Sequence, residues 1–417
     1  MSPIKSTRIG SPFADVFGRT RNQGTNPPNT YIVSGGTVVD GILSGGFRYY
    51  VFTVDTPAPQ GSLVVSGGQI PAPSITIMAI GGGGGGGSGH GGGGGAGALI
   101  LLPTGASDLP TGTYPVSCGA GGSGSPGPST FNLGSKGSNT TFGTSPSNFF
   151  IQAPGGGRGA GWVDGGDPGD FTGSAGPGGS AGGGAGDGNQ PSATFPGGSS
   201  DSIPTANRFN GNATPFGNSA GAVNNGPNAK AGAGGGGAGT VGQNSEANGT
   251  NQNPPVTPNH PNFPNGGGGG SPIPASPVAM ASPPFTTTEW PAAANVPGAT
   301  GGFGGHGLRV PAFPAPVISP AIPAPNQSNF TTQVTSNGYY AAGGGGGNHA
   351  ANNPNTAGNV SLGGIGGGGN GGTFSPNSDG TPGTYGTGSG GGSGGAQGSN
   401  GGNGAGGIVI VRVAVVQ

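Results

Sequence analysis

Carboxylates, imidazoles and thiols are the side chains that hold metals or move protons, and this sequence carries few of them: 12 acidic residues, four histidines and one cysteine among 417. The densest group is WVDGGDPGDF, in which Asp164, Asp167 and Asp170 recur at every third residue. On a threefold screw that spacing puts three carboxylates on one side, and oxygen ligands of this kind suit Ca²⁺. The string lacks the denser ligand pattern of a dedicated calcium loop. An exposed acidic turn is therefore the plainer reading, with calcium second to it and no other metal site expected. His90, His260, His306 and His349 are scattered without metal-ligand spacing and read as isolated surface or loop residues. Cys118 alone can form no disulfide within the chain. The several matches to G-x-G-x-x-G are expected by chance in so glycine-rich a chain, and none lies between a strand and a periodic helix. No enzyme activity and no cofactor are expected. The reading as a polysaccharide-degrading enzyme, with Asp164 and Asp167 as acid and base, ranks last because interior acids are scarce.

The elements that must position these groups are unusual. There are 107 glycines and 43 prolines, and only 6% of residues are charged. Such a composition ordinarily means disorder, yet disordered chains usually stay solvated through high net charge, and here it is −1. Ordering a glycine costs about 0.5–1 kcal/mol more than ordering an alanine. A bare backbone can repay this through close approach to another backbone, each hydrogen bond returning about 0.5–1.5 kcal/mol. Collagen is the familiar solution, but its strict every-third-residue register fails within these tracts. The expected packing is instead several polyproline II helices of one chain laid side by side.

The stretch ITIMAIGGGGGGGSGHGGGGGAGALILL, residues 75–102, runs an apolar strand directly into glycine, and GGNGAGGIVIVRVAVVQ at the other end hands glycine back to a strand. The segments TYIVSG, GTVVDGILSG, FRYYVFTVD, GSLVVSGG and SITIMAI read as strands between glycine and proline turns, and ALILLPTGASDLPTGTYPVSCGAGG reads as a hairpin-like insert. The organisation expected is an attachment arm at 1–30, a small β-domain or collar at 31–80, a glycine-rich polyproline II domain with variable inserts at 81–407 and a closing strand at 408–417. The fold class is mainly β plus polyproline II, with almost no α-helix.

The arm concentrates cations, and Arg8, Phe13, Phe17, Arg19 and Arg21 are its anchoring candidates. The inserts between tracts are rich in Asn, Ser, Thr and Pro and carry most of the aromatics, a composition suited to binding surfaces; loops on a rigid scaffold are where recognition tends to reside. Trp290, Tyr339, Tyr340, Phe313 and Phe330 are the candidates for receptor contact. The start lacks an apolar core of signal-peptide length, and no apolar run is long enough to span a bilayer, so neither export by that route nor membrane insertion is expected. Near-neutral charge argues against nucleic acid as a partner.

The order of these elements resembles the glycine-rich domain of tailed-bacteriophage tail fibres and receptor-binding adhesins. The residues that carry the resemblance are ITIMAIGGGGGGG, GHGGGGGAGALI, LPTGTYPVSCGAGG, NTTFG and the closing GGIVIVRVAVV, spanning about 75–416. Ser117 and Cys118 stand where the family has valine before GAGG, and Arg412 leads into VAVVQ where the family's strand soon ends. The resemblance implies a sandwich of stacked polyproline II helices whose loops, at one end, bind a protein or glycan of the host-cell surface. It implies a virion location on the tail, other virion proteins as partners of the arm, and a homo-oligomer, with a trimer as the usual fibre symmetry. A capsid decoration or head-fibre protein of the same kind of virus is the alternative.

Overall fold

The computed structural model describes residues 31–41, 46–55, 61–127, 133–145, 147–161, 178–185, 194–195, 209, 211–224, 231–245, 301–348, 360–373, 377–396 and 398–415. Among them are the strands β1 (Ile32–Ser34), β2 (Thr37–Gly41), β3 (Phe47–Thr53), β4 (Ser62–Ser66), β5 (Ile75–Ile80), β6 (Leu99–Leu102), β7 (Gly112–Ser117), β8 (Thr140–Phe142) and β9 (Ile151–Ala153). The two-residue pair β10 (Thr194–Phe195) and β12 (Val223–Asn224) flank β11 (Thr214–Phe216) in sequence, and β13 (Leu308–Arg309), β14 (Tyr339–Tyr340) and β15 (Ile408–Ala414) complete the set. Among the described residues, helix is confined to two short α-helices, α1 (Ala315–Ile318) and α2 (Ala324–Val334), and brief 3-10 turns. The fold is mainly β, as the sequence led us to expect.

Two sheets form a sandwich, one ordered β1-β4-β7-β8-β9 and the other β11-β6-β5-β15-β3-β2. Between them Tyr50, Phe52, Ile77, Ile100, Val409 and Val411 of the larger sheet meet Leu63, Tyr114, Phe142 and Ile151 of the smaller. Tyr114 stacks on Phe142 with ring centroids 5.5 Å apart. The other face of the larger sheet presents Tyr49, Met78, Ile80, Ile408 and Ile410 to a cap made by α1, α2 and their flanking turns. Prolines in the first turn of each helix suit positions whose N–H would be unsatisfied in any case.

Two expectations change here. The segment 31–80 is not a collar standing apart, because β15 pairs with β3 on one side and β5 on the other. A central strand needs both edges covered, and the apolar run IVIVRVA can be buried on both faces. Nor do β6 and β7 form a hairpin: they lie in different sheets, so the intervening residues cross the sandwich.

Beyond the sheets the glycine tracts form a lattice. The first, 81–87, has hydrogen bonds whose direction repeats every third residue. Gly82 and Gly85 donate to Ser138 and Ser135, Gly83 and Gly86 to Ala405 and Gly402, and Gly84 and Gly87 to Gly95 and Gly92. It accepts from three further stretches at the same period: Gly156 and Gly159 on the first set, Gly122 and Ser125 on the second, Gly391 and Gly394 on the third. A repeat of three is that of polyproline II. The tract is thus enclosed on every side by backbone, and a Cβ added at any position from 81 to 87 would overlap a carbonyl oxygen of another stretch. Residues 133–138 lie at the rim and bury only Gly134 and Gly137, while Ser135, Lys136 and Ser138 are exposed. Glycine at every residue marks an enclosed tract; glycine at every third marks one with a single packed side.

The long run 81–97 is two tracts, not one. It reverses at Ser88, Gly89 and His90, and 92–98 returns antiparallel, as Gly84 N–H to Gly95 O at 2.8 Å shows. His90 takes a left-handed conformation in that reversal, at φ 40°.

Candidate functional site

The lattice has two ends. One abuts the sheets: Gly81, Gly97 and Gly407 lie beside β5, β6 and β15 respectively. The opposite end is built by the reversal at 88–91 and by the ends of other tracts. Gly347 donates to Gly91 at 2.9 Å, Gly232 to Gly347 at 3.0 Å, Gly302 to Gly232 at 2.9 Å and Gly346 to Gly302 at 2.9 Å. Ala233 donates to Gly184 at 2.9 Å, Ala160 to Gly183 at 3.1 Å, Gly371 to Ser361 at 2.8 Å and Asn348 to Gly372 at 3.2 Å. Ser125 donates to Gly86 at 2.9 Å, and Gly89 to Ser399 at 3.4 Å, adding two more stretches to the same end.

The consequence is positional. Gly127, Gly161, Ala185, Asn224, Ser245, Asn348 and Thr373 lie on or next to this network, whereas Gly178 and Phe209 lie beside the sheets, where Gly179 donates to Gly155 and Phe209 to Phe150. Ala231, Gly301, Val360 and Asn377, which follow the insert segments 225–230, 246–300, 349–359 and 374–376, lie at this end too. Tyr31 lies at the far side of the sheets, where its hydroxyl donates to Ala414 O at 2.6 Å. The segment 1–30 therefore joins the fold at the pole opposite to that from which the inserts depart.

The described groups at the insert pole are small and mostly uncharged. Ser88, His90, Ser125, Asn348, Ser361, Ser393 and Ser399 are buried, and the Oγ atoms of Ser361 and Ser393 have no hydrogen-bond partner. Lys136 and Asp379 are exposed and Arg158 is half-buried. Among the described residues no three His, Cys, Asp or Glu side chains group as metal ligands. Hydroxyl and amide groups on a rigid backbone can hydrogen-bond a ligand and exclude water. No described acid and base converge there to transfer a proton.

The structure relocates four of the five contact candidates. Tyr339 and Tyr340 form β14, and Phe313 and Phe330 belong to the helical cap; all four are buried. Phe313 packs edge-on against Tyr49 at 6.3 Å, Phe330 against Tyr340 at 6.1 Å, and the Tyr340 hydroxyl donates to Phe313 O at 2.8 Å. Phe313, Phe330 and Tyr340 are packing residues because the larger sheet has a second apolar face, which they cover together with Val310, Ile318, Ile322 and Val334. Trp290, the arm residues Arg8, Phe13, Phe17, Arg19 and Arg21, and the acidic triplet Asp164, Asp167 and Asp170 lie outside the described residues, as do His260 and His349.

The remaining titratable groups are interior. His306 sits within a tract, its Nδ1 accepting from Ile365 N–H at 3.3 Å, and burial pushes its pKa down to about 4. The Cys118 thiol donates to Phe52 O at 3.2 Å and is pushed up to about 12 by burial. The surroundings thus favour the neutral form of both. The Tyr385 hydroxyl, half-buried, donates to Asp55, and burial chiefly raises it to about 12. This bond ties a lattice turn to the end of β3.

No helix among the described residues is long and apolar enough to cross a membrane. No curated protein matches the chain. A family model described as a glycine-rich domain matches residues 64–308, from within β4 through the first half of the lattice to the start of β13. That match covers more than half of the chain and takes in β5, β6 and the glycine run between them. The chain belongs to this glycine-rich domain family.

Proposed function

We propose that this protein is a structural component of a tailed-bacteriophage virion, a tail fibre or tail-tip adhesin that recognises the host-cell surface through the inserts of its glycine-rich domain. The observation that carries the reading is the opposition of two poles: the residues flanking the segments 225–230, 246–300, 349–359 and 374–376 lie at one end of the backbone-bonded lattice, and Tyr31, which follows the segment 1–30, lies at the other. A device that attaches at one end and recognises at the other needs this polarity. Recognition by loops on a stiff scaffold also fits the lack of a described catalytic constellation at the insert pole. On this reading the arm binds another virion protein, and the target is a protein or glycan of the bacterial envelope.

The test is binding by the purified full-length chain to whole cells of candidate host bacteria, with and without replacement of 246–300 by a short Gly-Ser linker. Cell binding that competes with phage adsorption and is lost with the insert supports the reading. A folded, full-length chain that binds no cell of a strain infected by the phage encoding it overturns the adhesin role. Antibody labelling of virions on the head, not the tail, would then favour the decoration alternative.

A further inference from the structure

At the interior of the lattice a backbone N–H finds the carbonyl of an adjoining tract. At the rim, along the outer side of 119–127, two N–H groups are met by side chains instead. Gly124 donates to Asn403 Oδ1 at 2.8 Å and Gly127 to Asn400 Oδ1 at 2.6 Å. Donors and acceptors are both spaced by three, the lattice repeat, and all four groups are exposed or at the surface. The same substitution recurs elsewhere on the rim: Gly155 donates to Asn139 Oδ1 at 3.1 Å, Gly363 to Asn370 Oδ1 at 3.0 Å and Ala222 to Asn244 Oδ1 at 2.7 Å.

Asn400 is held in place. Asp379 accepts from its backbone N–H at 2.7 Å and from its Nδ2 at 2.9 Å. With Nδ2 committed to the carboxylate, Oδ1 is the amide atom left to face Gly127, so the network itself fixes the orientation of the amide. An unpaired row of backbone donors is a template for another chain, the hazard known from exposed edge strands. Here the partner that fits is defined by the lattice: a threefold-screw glycine tract in either direction. The chain uses both, since 92–95 runs antiparallel to 84–87 and 391–394 runs parallel to it. A second copy of this chain carries many such tracts.

We propose that the rim between 119–127 and 398–406 is a latent interface for a glycine tract of a second copy, and that Asn400 and Asn403, with Asp379 positioning the first, keep it closed. The asparagine amides occupy the places that carbonyls of an added tract would take. The rim caps thus stop the lattice from growing across molecules, independently of what the inserts bind.

The test is light-scattering mass measured over a concentration series for the full-length chain and its Asn400→Ala/Asn403→Ala variant, with hydrogen exchange at the amides of Gly124 and Gly127. The expected result is a variant mass above that of the wild type that climbs with concentration. At low concentration those two amides should exchange at least about tenfold faster than in the wild type, matching the loss of one hydrogen bond's worth of protection. A folded double variant with the wild-type mass at every concentration overturns the proposal. Should the double variant not fold, Asp379→Asn answers the same question. It leaves both asparagines in place and frees only the Asn400 amide. Faster exchange at Gly127 with a rise in mass supports the proposal; unchanged mass overturns it.

Discussion

Tract 81–87 has no side chains, and its residues are joined to other stretches through N–H and C=O groups repeating in threes. In β15, Val409 and Val411 fill one core and Ile408 and Ile410 another. Both segments are buried, and both are central. The difference lies in what excludes water: in the lattice the closeness of backbones, in the sandwich the bulk of apolar groups. A lattice therefore tolerates no addition, whereas a sandwich tolerates no removal.

The sharpest way to break that comparison is Gly84→Leu. A Cβ there already overlaps Gly157 O, and because the clash is with backbone on an enclosed tract, the cost should exceed the about 1–3 kcal/mol usual for overpacking. No cooperative melting transition is expected; a melt close to the wild type would show that the lattice can yield. Next in size is Phe330→Ala, where a large side chain leaves the cap. A loss of about 3–5 kcal/mol is expected from urea unfolding, with the lattice amides still protected in hydrogen exchange. Loss of protection throughout would instead mean that cap and lattice unfold as one.

A smaller effect is set by pH. The folded-state pKa of His306 is lowered to about 4 from 6.5, so between these values the unfolded chain binds a proton that the folded chain does not. Stability from this group is complete above about 6.5 and declines as pH falls towards 4. His306→Asn should flatten the pH dependence of the melting temperature in that window, and an unchanged slope would remove the imidazole as its cause. The smallest effect belongs to Ser135→Ala, at an exposed position between Gly134 and Gly137. A change within about 0.5 kcal/mol is expected, and set beside Gly84→Leu it measures the contrast between an enclosed tract and a rim.

Much of this was legible in the sequence. β-Branched and aromatic residues in 30–80 mark five strands that the structure contains, and the junction of Ile80 with glycine marks where sheet becomes lattice. What stayed hidden was partnership. IVIVRVA reads as a strand, but nothing local says that it separates β3 from β5. The reversal at 88–91 is signalled only by Ser88 and His90 interrupting glycine, a weak cue beside so uniform a run. The cap was missed because PAFPAPVISPAIPAPNQ looks like a proline-rich insert, although prolines at the start of short helices are well placed. For the same reason Tyr340, Phe313 and Phe330 read as displayed side chains: their burial depends on an apolar sheet face supplied by residues distant in sequence. The insert pole itself could be sensed from unequal inserts between constant tracts, but not located, since tract direction appears only in the hydrogen-bond registers.

The placing of β15 has a consequence in time. Its two neighbours belong to the first 80 residues, while β15 itself follows the whole lattice. The pairings that finish the larger sheet thus close a loop containing nearly every glycine tract, the kind of long-range contact that makes folding slow. Until that closure, β3 and β5 present facing edges with a strand-wide gap between them. A nascent chain must wait with its sheet ajar until this late keystone is seated and covers the edges of both neighbours.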